Sequence, residues 1–265
     1  MKNDSFIKFL RDRKDMTLII GAKCKDGVVL IADKRVVEGT DIAITEKINL
    51  LPLGIVVAGA GIGEIIDKFN ERIPYVLEDR KRLNYEAMKK DDPEIDINTV
   101  PYYFRGYEFL EDCEGLLFQL KERYKLPIQI LVASGNLSLA NLNYLDGESF
   151  LTSKRRTYIT IGTGSPYANL LLKKLWNKDL SMKEMAKIGK FVINHISEAG
   201  VDTYVGGGVQ IVFVPNRPEN FDELIEDEQR KFVPHENNLS DFNDNELNEE
   251  FNKFFNVVQN KIKDN

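Results

Sequence analysis

Two β-branched apolar runs, Thr17 to Lys23 and Val28 to Asp33, flank a Lys25-Asp26-Gly27 turn. Such runs joined by an Asp-Gly pair, which supplies the positive backbone angles of a tight connection, specify a buried β-hairpin. Antiparallel strands of similar length start and finish together, so this hairpin sets Thr17 and the Asp33-Lys34-Arg35 triplet at the same end of one sheet. Taken singly, a threonine at a strand start is an ordinary strand former, and a charged triplet after a strand is an ordinary solvated end.

The pattern continues with strands over Ile42 to Thr45, Ile48 to Leu51 and Ile55 to Ala58, the Pro52-Leu53-Gly54 break making another tight turn. From Ile62 the apolar positions (Ile62, Ile65, Ile66, Phe69, Ile73) fall at helical spacing, and a second helical pattern covers Tyr107 to Tyr124. Between them Leu83 to Val100 is polar and broken by Pro93, which predicts an inserted loop or a loosely packed excursion. Strands return at Ile128 to Ala133, Leu139 to Leu145 and Tyr158 to Gly162. Two helices follow. Ser165 to Trp176 has Ser165 as N-cap and Pro166 at its first position, and Met182 to Ala199 has Ser181 and Glu184 as a capping box. A last strand, Val209 to Val214, closes the core. This order suggests an α+β protein with two stacked antiparallel sheets and helix pairs outside.

At 265 residues and 43% hydrophobic content the chain can bury a sizeable core as one large domain or two small ones. No apolar run reaches the roughly 18 residues of a membrane span, and residues 1–15 alternate charge with Phe and Leu instead of forming a signal peptide's apolar core. The expected location is cytoplasmic, away from membranes. Cys24 and Cys113 are too few for a disulfide framework and read as reduced, buried thiols. Residues 216–265 carry 13 acidic against 6 basic side chains, so the body of this −6 chain is near neutral. No basic stripe, RNA-binding aromatic signature or zinc-finger spacing points to nucleic acid. The acidic segment reads as a solvated, partly helical appendage or an interaction tail. His195 and His235 are isolated, and no cofactor or metal is implied.

The segments "TLIIGAKCKDGVVLIADKR", "EKINLL" with "VVAGAG", "IGTGS" and "AGVDTYVGGGVQIVFV" occur in that order. Together they resemble the landmarks of the proteasome β-subunit family, the N-terminal-nucleophile threonine hydrolases, over Thr17 to Val214. The resemblance implies a four-layer αββα sandwich. It also implies a role for each matching position. Thr17 would be the mature N-terminal nucleophile, Asp33 the buried aspartate, and Lys47 the essential lysine, after a loop about two residues shorter. The Gly61 N–H would serve the oxyanion hole, Thr163 would replace the usual serine hydroxyl, and Asp202 would help orient the nucleophile. Gly59 and Gly63 would line a roomy specificity pocket. Asp67, one helical turn on, would either favour a basic substrate side chain or be a solvated residue beside Lys68.

The chemistry requires these residue types. A threonine hydroxyl must hand its proton to a nearby base, and a free α-amine with a pKa near 7.7 to 8.0 can be that base. Thr17 must then be the first residue. A lysine cation favours the deprotonated hydroxyl, and an aspartate holds that lysine in place. Such a site performs acyl transfer.

Two positions depart from the family. Met16 stands where a glycine commonly precedes the scissile bond, and Val205 where many active members carry a serine. Removal of a leader over residues 1–16, or translation from Met16 followed by loss of that methionine, would expose Thr17. The expected organisation is a leader (1–16), a hydrolase domain (17–215, with an insertion about 83–100) and an acidic tail (216–265). The implied function is a threonine endopeptidase acting on polypeptides in a homo- or hetero-oligomer such as a ring. The alternatives are a non-catalytic scaffold subunit and a threonine-dependent peptide ligase.

Overall fold

The structure is a computed structural model that describes residues 17–38, 41–51, 54–97, 106–125, 128–135, 140–147 and 157–216. The expected leader (residues 1–16), the Pro52-Leu53 step, Leu139, the end of the 83–100 segment, His235 and residues beyond Asn216 lie outside these.

The elements run β1 (Ile19–Cys24), β2 (Gly27–Asp33), β3 (Arg35–Glu38), β4 (Asp41–Ile44), β5 (Ile48–Leu51), β6 (Ile55–Gly61), α1 (Gly63–Met88) and α2 (Gly106–Tyr124). They continue with β7 (Ile128–Ser134), β8 (Asn141–Leu145), β9 (Tyr158–Ile161), α3 (Ser165–Leu175), α4 (Met182–Glu198) and β10 (Val209–Pro215). The chain is α+β. Its strands form an antiparallel sheet in the order β10-β2-β1-β9, a second in the order β5-β6-β7-β8, and a two-stranded ribbon of β3 and β4.

Alternation along the strands divides the apolar side chains among three clusters. From β1 and β2, Leu18, Ile20, Val29 and Ile31 pack with Leu172 of α3 and with Met185, Val192 and Ile196 of α4. Their neighbours Ile19, Val28 and Leu30 meet Val56, Ala58, Leu131 and Leu142 of the second sheet. On that sheet Ile55, Val57, Ile130 and Val132 join Phe69 and Ile73 of α1 and Leu117 of α2.

Several local readings need correction. The hairpin turn is Lys25-Asp26, because Gly27 already pairs with Cys24 as the first residue of β2. Glycine is required there by crowding, since a Cβ would meet Met182 Sδ at 2.7 Å and Pro215 Cα at 2.8 Å. The triplet after β2 is no solvated end: Asp33 is fully buried and Arg35 opens β3, a strand the sequence pattern did not suggest. Helix α1 continues through Leu83 to Met88, six residues into the expected loop. Its apolar face ends at Leu77, and its polar end is tied to α2 by a two-pronged ion pair between Arg80 and Asp112. Residues 83–88 bury no apolar side chain, so hydrophobic periodicity misses them.

Ser165 is the first residue of α3, and Gly164 takes the N-cap position without a side-chain cap. By contrast Ser181 and Glu184 form the anticipated capping box on α4. Cys24 and Cys113 are free thiols. Burial pushes the Cys24 thiol up to about 12 and raises Cys113 as well. Among the described residues no helix is long and apolar enough to cross a membrane, and no group of three or more His, Cys, Asp or Glu could hold a metal ion.

Candidate active site

The β1–β2 ladder extends one step beyond β1, where Asp33 N donates to Leu18 O at 3.1 Å, and this sets Thr17 beside the Asp33 carboxylate. Thr17 Oγ1 donates to Asp33 Oδ1 at 2.6 Å. Leu18 N donates to the same oxygen at 2.8 Å, while Arg35 N and Gly206 N donate to Oδ2 at 3.2 and 3.1 Å. Polar oxygens buried this deeply are costly unless they accept hydrogen bonds, and both Asp33 oxygens do.

Lys47 supplies the countercharge. It lies just before β5, and its Nζ donates to Thr17 Oγ1 at 2.5 Å, to Asp33 Oδ1 at 2.8 Å and to Arg35 O at 2.6 Å. All three ammonium protons therefore have acceptors, as a side chain only 8% exposed requires. Burial lowers the Lys47 pKa below 10.5, against the attraction of Asp33, and the neighbouring Arg35 cation lowers it further. The Thr17 hydroxyl thus sits between a buried carboxylate that accepts its proton and a cation whose own proton is loosened. Such an arrangement can stabilise an alkoxide.

The Thr17 carbonyl rests on the loop after β9. Gly164 N donates to Thr17 O at 3.2 Å, and a Cβ on Gly162, whose φ is +90°, would overlap that carbonyl. Thr163 lies between these glycines, and its Oγ1 is buried without a hydrogen-bond partner among the described residues. Asp202 is buried within charge range of Lys47, but its Oδ1 accepts from Tyr204 N at 2.9 Å in its own loop. Val205 is fully buried in the apolar cluster of Leu18 and α4, so the family's serine position contributes only packing here.

Gly61 ends β6 with a φ of +136°, at the same end of its sheet as Lys47. The pocket glycines differ from each other. Gly63 faces open space, whereas a Cβ on Gly59 would meet Ile66 Cγ2 at 2.7 Å. Ile66 of α1 packs directly against Gly59. Asp67 is exposed on α1.

Sequence reasoning missed three contributors. Arg35 lends its carbonyl to Lys47, and its Nη1 donates to Thr203 O at 2.7 Å, tying β3 to the Asp202 loop. Gln129 of β7 bridges Gly162 N at 3.1 Å and the Tyr144 hydroxyl at 3.0 Å. Gln210 of β10 bonds the main chain of Lys47 and Ile48. The available signal was a lone glutamine in the otherwise apolar run "VQIVFV".

Residues 15–90 match the family model described as Proteasome subunit. The chain is similar to Proteasome subunit beta 2 of Nitrosopumilus maritimus, 28% identical over 82% of this chain and 93% of the relative. It is similar to Proteasome subunit beta 1 of Pyrobaculum arsenaticum at 26%, over 83% of this chain and 99% of that protein. Proteasome subunit alpha of Methanococcus maripaludis also matches, at 25% over 82% of this chain and 72% of its own length. The chain is thus similar, over most of its length, to archaeal proteins named as proteasome subunits.

Proposed function

We propose that this protein is a threonine peptidase that acts by acyl transfer from Thr17 once the α-amine of Thr17 is free. The observation that carries the reading is the Lys47 ammonium, buried at 2.5 Å from the Thr17 hydroxyl and 2.8 Å from Asp33. In the proposed reaction the free amine takes the hydroxyl proton as Thr17 Oγ1 attacks a peptide carbonyl, and Lys47 stabilises the oxygen that loses it. The Gly61 N–H receives the oxyanion, where a single donor is typically worth about 2.7 to 4 kcal/mol. Collapse breaks the peptide C–N bond, the amine's proton passes to the leaving amine, and the resulting ester on Thr17 is hydrolysed by water. Thr163 and Asp202 assist by positioning the amine, and Gly63 with Asp67 borders the substrate side chain.

The three apolar clusters support reading the fold as a four-layer αββα sandwich. The naming of its relatives as proteasome subunits supports assembly with copies of itself or related chains. The loss of a serine at Val205 favours a second reading, a non-catalytic subunit of the same assembly.

Incubating a peptide panel with wild-type protein and with Thr17→Ala, and weighing the products, tests the proposal. Cleavage products carrying the mass of one added water, absent with Thr17→Ala, are expected. Joined peptides would indicate ligation instead, and identical inertness of both proteins after exposure of Thr17 would leave the non-catalytic reading.

A further inference from the structure

Lys47 precedes β5, whose ladder with β6 begins at Ile48, so strand pairing does not account for the placement of its main chain. That placement comes from the other sheet. Gln210 of β10, only 4% exposed, accepts from Lys47 N at 2.8 Å and from Ile48 N at 2.9 Å through Oε1, and donates to Ile48 O at 3.0 Å through Nε2. Its amide imitates a neighbouring strand across the gap between the sheets. Gln210 is also fixed in register opposite Ala32, next to the pair formed by Val209 and Asp33. One strand therefore holds both the carboxylate's position and the root of the lysine that meets it.

We propose that Gln210 is a positioning residue for the Thr17 chemistry, fixing the main chain of Lys47 so that its ammonium reaches Thr17 Oγ1 and Asp33 together. This rests on the proposed peptidase reading. The alignment is demanding because the amide must offer an acceptor to two N–H groups and a donor to one carbonyl, which neither a carboxylate nor an apolar side chain can do. Asparagine has the same amide one methylene shorter, so it must either surrender the bonds or pull Lys47 away from Thr17. A displacement of about 1 Å at a reacting group costs on the order of 100-fold in rate.

The test compares Gln210→Asn and Gln210→Leu with wild type, all with Thr17 exposed, in peptide cleavage and in an NMR titration of 13Cε-lysine in which Lys47 is assigned by its loss in Lys47→Arg. The expected result is a kcat lowered about 10- to 100-fold with KM within about twofold, together with a displaced Lys47 titration. Unchanged kcat and an unchanged Lys47 titration in a folded variant would overturn the proposal. Should Gln210→Leu fail to fold, the milder Gln210→Asn decides. If wild type itself proves inert, the peptidase reading fails separately, and the Lys47 titration still decides the role of Gln210: displacement supports it and no displacement refutes it.

Discussion

Asp33 and Lys47 are each untenable alone at this depth, because an uncompensated buried charge usually destabilises by 3–5 kcal/mol or so. Replacing Lys47 with Met removes the cation but leaves Asp33 its other donors, Thr17, Leu18, Arg35 and Gly206. The loss is therefore expected near the low end, about 3 kcal/mol, read as a lower urea midpoint. The lysine also marks the pH dependence. Its folded pKa lies below the unfolded 10.5, so between those two values the unfolded chain binds more protons and stability rises with pH. Wild type is expected to show this rise in unfolding free energy on approaching pH 10.5, and Lys47→Met to lack it; equal slopes would refute the assignment. Thr17, Asp33 and Lys47 were legible in the sequence because hairpin geometry and ordered motifs pointed to them together. Gln210 and Arg35 were not, because a polar residue in one strand reveals its partner only when the other sheet is known.

At the scale of the element, the close contact between β6 and α1 is set by Gly59 and Ile66. Gly59→Ala is expected to destabilise by about 1–3 kcal/mol through overpacking, and Ile66→Val in the same chain to recover part of it. A double-mutant cycle by chemical denaturation measures that coupling, and additive effects would contradict the contact. The capping box of α4 offers an independent check: Ser181→Ala is expected to lose about 1 kcal/mol in the same assay. Elements with strong apolar periodicity, such as α4 and the β1–β2 hairpin, were readable to within a residue or two. The last turn of α1 and the β3 strand were not, because residues 83–88 bury no apolar side chain and β3 is held by pairing with β4.

Across the whole molecule, Asn216 closes the described fold after β10. Its N donates to Asp26 O at 2.9 Å, its Oδ1 accepts from Ala140 N at 2.9 Å and its Nδ2 donates to Lys25 O at 3.2 Å. A chain ended after Pro215 is expected to unfold at a lower urea midpoint than one ended after Asn216, by about 2 kcal/mol as these bonds go. The alternation of strands and helices was legible at this scale because sheets and helices bury faces of different period. The seating of the Thr17 carbonyl against the Gly162–Gly164 loop was not, since it depends on how that loop folds back over the end of β1. The central claim is that Thr17 becomes an amino-terminal nucleophile. Its most direct test is tandem mass spectrometry of the protein after treatment with an acylating β-lactone. An ester is expected on a peptide that begins at Thr17, and none with Lys47→Ala. A chain in which Thr17 remains bonded to Met16 and takes up no label would contradict it.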